Sequence, residues 1–303
     1  MSLVKSFSVG NGDMYFIEHN SDNFTIIDCC LDYDNSTSER KTSILEELRS
    51  ISNKKSITRF ISTHPDEDHI SGLKNLDSHI SIRNFYRVDN DTHKKGEESE
   101  DFKHYKSLRD NSSISFSLKK GCRRKWMNLA DEERGSAGLS CWWPIVSNEK
   151  YLMALEKAQS GESPNNISPV IRYAIEDSAS FIWMGDLGSE MQEEFLSCVE
   201  VPSTTVVFAP HHGRKSGRIP HELLRRLSPK IIVVGEAPYE DLHYYNGYNT
   251  ITQNSAGDIM FDVNNDIIDI FVSNTNYSRK DWMIVNPSHG LQKGLHYMGS
   301  IEL

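Results

Sequence analysis

The sequence predicts an α/β fold whose chemistry sits at the ends of strands. Short apolar runs of strand character alternate with amphipathic helical segments, the signature of helices packed on sheets. Several of these runs end in His or Asp. "ITRFIST" leads into "HPDEDH" (64–69), "ASFIWMGD" ends at Asp186, "TTVVFAP" precedes His211-His212-Gly213, and "KIIVVGEA" stands shortly before His243. At 303 residues the chain can bury a full core, as one large domain or two small ones.

The elements follow in order. "LVKSFSV", a Gly10-Asn11-Gly12-Asp13 turn, "MYFIE" and "FTIIDCC" read as a meander of strands, because apolar residues alternate around a Gly-rich turn. In "SERKTSILEELRSI", Ile44, Leu45 and Leu48 share one helical face. The strand "ITRFIST" delivers the His/Asp turn, and Gly72, Leu73 and Leu76 mark a helix start. Residues 87–165 read as an elaboration, with charged runs, a strand-like "SISFSL", an aromatic "LSCWWPIV" and a helical "NEKYLMALEKA". Trp142 and Trp143 fit a core or a substrate wall better than a base-stacking platform. Beyond residue 165, "NNISPVIRYAI" and "ASFIWMGDLG" read as strands joined by a turn. The helix "SEMQEEFLSCV", the strand "TTVVFAP", the helix "PHELLRRLS" and the strand "KIIVVGEA" follow. No internal repeat or long low-complexity linker marks a domain boundary.

Composition narrows the function classes. Apolar content of 37% and charged content of 25%, with no apolar run near the ~18 residues of a membrane helix, describe a soluble globular chain with no membrane partner. The N-terminal stretch lacks the apolar core of a signal peptide, and five cysteines without C-x-x-C spacing suggest neither a disulfide framework nor a zinc ribbon. Both observations predict a cytoplasmic location. A net charge of -10 argues against coating long nucleic acids by charge alone. Two basic islands stand out, "GRKSGR" (213–218) and "RRK" (123–125). The second reads as a solvated loop; the first is open between a loop and an anion contact.

The turn "STHPDEDHISGL" carries the strongest chemical signal. His64, Asp66, Asp68 and His69 fall within six positions, where two carboxylates repel each other unless a cation sits between them. The metal-free alternative is a solvated turn in which the Asp side chains bond nearby amides.

In order along the chain, "VGNGDMYFIE", "FTIIDCC", "STHPDEDHISGL", "NNISPVIRY", "MGDL", "APHHGRKSGR", "SPKIIVVGE" and "NSAGDIMF" resemble the metallo-β-lactamase superfamily. Within it they are most similar to the soluble hydrolase domain of the competence DNA-uptake protein ComEC and its stand-alone relatives. The resemblance spans roughly residues 4–262. It implies a four-layer αββα sandwich, with residues 1–264 as the hydrolase domain, an elaboration at about 87–165, and 265–303 as a C-terminal extension packed on the same domain. It also implies two divalent metal ions, Zn²⁺ or Mn²⁺. His64 and Asp66 would hold one, Asp68 and His69 the other, and Asp186 would bridge them. Asp66 stands where many members have His, which makes the site more oxygen-rich and favours a harder ion.

The resemblance also bears on the histidines downstream. If His211 and His212 are extended they point opposite ways, so one is a ligand; His211 is favoured, with His212 orienting substrate or donating a proton, and the reverse stays open. His243 is a candidate ligand or proton donor, although "EAPYEDLHYYN" lacks the glycine usual before it, and an exposed loop histidine is its alternative. Asp13 and Asp28 are expected to hydrogen-bond the ligands or the turn backbone. Arg214 replaces the usual serine after "HHG", Ser216 is a candidate to take its place, and Ser71 replaces a glycine. His289, in the extension, is assigned no role.

Two metals sharing a water lower its pKa and clamp an in-line displacement, so the expected reaction is attack by a metal-bound hydroxide beneath Asp68 and Asp186. His212 or His243 would protonate the leaving group, and Arg214, Lys215 and Ser216 would bind substrate. The basic island tilts the expectation toward a phosphodiesterase or nuclease acting on nucleic acid or a nucleotide. A hydrolase of lactam, lactone or thioester bonds is the alternative on the same fold. A non-catalytic, metal-stabilised binding or regulatory protein is the third reading. Oligomeric state is not legible.

Overall fold

The computed structural model describes residues 2–21, 23–32, 37–52, 56–286 and 290–303; His289 lies outside them. The chain opens as a meander: β1 (Ser2–Ser6), β2 (Tyr15–Glu18) and β3 (Phe24–Ile27) pair antiparallel. Helix α1 (Ser38–Ile51), capped by the Thr37 side chain, crosses to β4 (Arg59–Ile61), which lies parallel to β3. The short α2 (Glu67–Ile70) and α3 (Leu73–His79) lead to β5 (Phe85–Val88), and α4 (Glu100–Asp110) to β6 (Ser115–Leu118).

The second sheet begins with β7 (Leu139–Trp143). Then follow α5 (Glu149–Gln159), β8 (Val170–Ala174), β9 (Ser180–Trp183), α6 (Ser189–Cys198), β10 (Val206–Phe208), α7 (His221–Leu227), β11 (Ile231–Val234) and β12 (Thr250–Thr252). After α8 (Gln253–Ala256), the chain returns to the first sheet through β13 (Ile259–Asn264), β14 (Ile267–Val272), β15 (Leu291–Gln292) and β16 (Leu295–Glu302). The first sheet thus runs β15-β16-β14-β13-β1-β2-β3-β4-β5-β6, and the second β12-β11-β10-β9-β8-β7. The strands that follow α8 form one flank of the larger sheet.

Strand alternation splits the core into layers. Ile17, Ile27, Ile61 and Tyr86 face the second sheet, meeting Tyr173, Phe181, Trp183 and Phe208. Their neighbours Phe16, Ile26, Phe60 and Phe85 face outward onto Ile44 and Leu48 of α1, Leu73 and Leu76 of α3, and Phe102 and Tyr105 of α4. Tyr151 of α5, Phe195 of α6 and Leu223 of α7 cover the second sheet. Helix, sheet, sheet and helix stack as an αββα sandwich. Trp143 is fully buried in this core.

The charged stretch read only as elaboration contains α4, whose Phe102, Tyr105 and Leu108 are buried at helical spacing. This helix braces the turn that follows β4. Asp101 accepts from the backbone N–H of Gly72 (2.8 Å) and Lys74 (2.9 Å), and Ser99 donates to Glu67 (2.9 Å).

Candidate metal centre

Strands β3, β4, β9 and β10 all end at one edge of the sandwich, and each delivers a polar side chain there. The parallel register of β3 with β4 aligns Ile27 with Ile61, so Asp28 arrives beside Thr63. Asp28 is fully buried, with its backbone at φ 56°, and its carboxylate accepts from Thr63 N–H (2.7 Å) and Thr63 Oγ (2.6 Å). Its Oδ2 stands 2.9 Å from His69 Nδ1. That bond turns His69 Nε2 toward Asp186 Oδ1, 3.1 Å away.

His64 is held through Nδ1 by Thr63 Oγ (3.1 Å) and Ser168 Oγ (3.2 Å). Its Nε2 lies 3.9 Å from Asp66 Oδ2 and 3.9 Å from Asp186 Oδ2. Asp186 is buried at the end of β9, its Oδ2 accepting from Asn165 Nδ2 (3.3 Å). Two glycines make room: a Cβ on Gly185 would stand 2.7 Å from Ser168 Oγ, and one on Gly12 would stand 2.6 Å from Asp68 O.

The His211-His212 pair departs from the extended geometry expected of it. Both residues are left-handed, with φ 53° and 56°, so the two rings converge instead of diverging. His211 Nε2 lies 3.4 Å and His212 Nε2 3.8 Å from the same Asp186 Oδ2. His212 is enclosed, with Nδ1 on Asp13 Oδ1 (3.1 Å) and Nε2 near Asp68 Oδ2 (3.3 Å). His211 is the more open ring, its side chain 19% exposed and its Nδ1 bonded to Ser216 Oγ (2.7 Å).

Of the residues singled out in the sequence, His64, Asp68, His69, Asp186, His211 and His212 meet here. Asp66 joins at the rim, where Lys94 Nζ contacts its Oδ1 at 2.7 Å. His243 does not join them; it is exposed and packs edge-on against Tyr239. Ser216 is committed to His211. Arg214, hydrogen-bonded to Asn11, lines a cavity of about 720 Å³ together with Lys215, Ser216, Asn166, Glu190 and Asp241. Sequence reasoning missed Ser168, Asn165, Thr63 and Lys94. Asn165 and Ser168 lie inside the quoted "NNISPVIRY" block, but nothing there marks them as contacts of His64 and Asp186.

The electrostatics are those of a site built around positive charge. Burial disfavours charge on Asp186, yet His69, His212 and His64 hold its carboxyl well below the usual range. Burial likewise opposes protonation of His69 and His212, but Asp186 and Asp28 keep the first well above its ordinary value. Asp13 and Asp186 raise the second to about 10. Asp68 is buried too, and the His212 hydrogen bond takes it down to about 2. His64 goes the other way, lowered by burial and then by the charge of His69.

A divalent metal fits these residues. His64 Nε2 is buried without a hydrogen-bond partner, and His69 Nε2 and Asp186 Oδ1 face only each other, 3.1 Å apart; nitrogen and carboxylate donors of this kind are what such ions take. Donor atoms of Asp13, His69, Asp186 and His212 all lie within 4.8 Å of one another. Asp13, expected only to support a ligand, does bond His212 and also stands within this group.

Residues 8–163 match the family model described as "Metallo-beta-lactamase superfamily". Among solved structures, the metallo-beta-lactamase fold protein YhfI from Bacillus subtilis aligns at 9% identity and TM-score 0.45, over 83% of this chain and 96% of that one. CmlA, a diiron beta-hydroxylase from Streptomyces venezuelae, aligns at 12% identity and TM-score 0.43, over 77% of this chain and 44% of that one. No curated protein matches the sequence.

Proposed function

The chain belongs to the metallo-beta-lactamase superfamily, and from that premise we propose that it is a metal-dependent phosphodiesterase acting on nucleic acid or nucleotides. Family membership and the buried Asp/His cluster point to a metal-dependent hydrolase. The observation that carries the finer reading is the placement of Arg214 and Lys215. They follow His211-Gly213 directly and wall a cavity shared with Ser216, whose hydroxyl bonds His211 Nδ1 at the edge of the cluster. The similarity of the ordered motifs to the ComEC hydrolase domain supports the same substrate class.

In this reading His64, Asp66 and Asp186 would hold one divalent ion, and Asp68, His69 and His212, with Asp186, the other, Zn²⁺ or Mn²⁺. When bound, such a pair lowers the pKa of water and neutralises charge developing on phosphoryl oxygens. The chain's own groups do the rest. Asp28 and Asp13 fix the rings of His69 and His212 through Nδ1, so that each presents Nε2. Arg214 and Lys215 bind the non-bridging oxygens of the phosphate, as charge-assisted donors. His211, the open ring of the pair and anchored by Ser216, is the imidazole placed to meet the departing oxygen; burial lowers its pKa, so it does so as a neutral hydrogen-bonding ring. His243, exposed beside Tyr239, has no part in this reading.

Elemental analysis of the purified protein, beside assays on bis-p-nitrophenyl phosphate, labelled DNA and RNA, cyclic nucleotides and a chromogenic β-lactam, tests the proposal. Turnover of a phosphodiester alone is the expected result. Turnover of the lactam alone would move the reading to acyl chemistry, and bound metal with no turnover to a binding protein.

A further inference from the structure

The basic triplet 123–125, read from sequence as a solvated loop, lies in a loop with Arg123 and Lys125 exposed and also walls a cavity of about 550 Å³. This volume is within the range of small-molecule sites. The cavity opens at the end of the first sheet opposite the metal centre. Asn23, Thr58 and Asn84, which line it, each precede a parallel strand whose far end carries the Asp/His cluster or its neighbours. His64 stands five positions along the chain from Arg59, or about 16 Å at roughly 3.3 Å per residue.

We propose that this cavity binds a small phosphate-bearing anion, a nucleotide or inorganic pyrophosphate. Four arginines converge on it, Arg59, Arg123, Arg124 and Arg134, and among the described residues none of them forms an ion pair with a carboxylate. Arg59 is the decisive one. Its side chain is buried, 3% exposed, and its partners are uncharged: Thr25 Oγ at 2.9 Å, the Trp126 carbonyl at 3.1 Å and the Tyr86 side chain. Its Nε has no hydrogen-bond partner among the described residues. A buried cation left with neutral acceptors is costly, and an anion in the cavity is the group that offsets it.

The backbone adds an independent sign. Trp126 is held at φ 63°, unfavourable for an indole-bearing residue, and so placed it turns its carbonyl onto Arg59. The acids nearby do not fill the role. Asp131 is engaged by Lys125 Nζ (3.2 Å) and Trp126 Nε1 (3.1 Å), and Glu132 and Glu133 do not line the cavity. Several planar guanidinium forks around one space suit the oxygens of a phosphate, and one of them, Arg134, lies over the Trp126 ring, 5.2 Å from its centroid.

Calorimetric titration of pyrophosphate, ADP and uncharged adenosine into the whole protein tests this, repeated on two variants because a metal centre also attracts phosphate. Asp68→Ala weakens the metal centre; Arg123→Ala/Arg134→Ala removes two of the four arginines, with circular dichroism to verify folding. We expect a phosphate probe to bind while adenosine does not, with affinity that survives Asp68→Ala and falls at least about tenfold in the arginine variant. Tighter binding of ADP assigns a nucleotide; equal or tighter pyrophosphate assigns the inorganic anion. The proposal fails if neither probe binds at millimolar concentration, if Asp68→Ala abolishes binding, or if the arginine variant binds like wild type. A single-stranded oligonucleotide titrated beside them gives a further failing outcome: if it alone binds, the cavity is part of a backbone track.

Discussion

Asp28 holds His69 in one orientation: its Oδ2 stands 2.9 Å from Nδ1, which leaves Nε2 free to face Asp186. The bond fixes the tautomer as well as the ring, because an Nδ1–H donor requires Nε2 to be the lone-pair nitrogen once the ring is neutral. Asp28→Asn keeps the shape but offers an amide N–H where the carboxylate accepted. Metal affinity, measured against a competing chelator, should fall about ten- to a hundredfold. Unchanged affinity would mean that His69 needs no such orienting partner.

Metal uptake should release protons. With His212 raised to about 10 and His69 also raised, both rings are protonated at neutral pH before metal enters, and each must give up a proton to bind through Nε2. Apparent affinity therefore strengthens as pH rises toward about 10 and weakens as pH falls. Calorimetry in two buffers of different ionisation enthalpy reads the proton count directly. A binding enthalpy identical in both would mean that the two rings are already neutral before the metal arrives.

Arg214→Ala/Lys215→Ala separates phosphorus chemistry from acyl chemistry. Loss of charge-assisted contacts to phosphate should lower kcat/KM on a phosphodiester about ten- to a hundredfold. Metal content should stay the same, since neither side chain is a ligand. Wild-type rates at every salt concentration would leave the island as a solvated loop.

Acid should unfold the protein partly through His19, far from the metal. Burial, with the nearby Arg59 charge, lowers its pKa from 6.5 to about 3. The unfolded chain takes up a proton below 6.5 that the folded chain refuses until about 3, so the stability contributed by the neutral ring is present above 6.5 and lost as pH falls. His19→Gln has no such ionisation. Urea unfolding of both proteins at neutral and acid pH should show the difference between them shifting in the variant's favour as pH drops; a constant difference would assign the acid sensitivity elsewhere.

The turn from His64 to His69 was legible because ligand-type residues crowd a strand end, and α1 because Ile44, Leu45 and Leu48 repeat at helical spacing. Helix α4 was not, since charged residues outnumber the three apolar ones that it buries. The convergence of His211 and His212 depends on two left-handed residues in succession, a backbone choice that His does not advertise as glycine does. Lys94 on Asp66, Ser168 on His64 and the arginine cavity are long-range contacts, 28 and 104 residues apart for the first two, and no local pattern encodes them.

The two left-handed histidines set the centre and the rest of the chain at odds over composition. Each occupies a conformation in which a side chain costs on the order of 1 kcal/mol or more, and glycine would relieve it. At His211, where the ring is partly open and one Ser216 hydrogen bond is lost, exchange for glycine should leave the melting temperature level or raise it. Should that exchange hold the melting temperature while hydrolysis falls, the imidazole at 211 serves the chemistry against the preference of its own backbone.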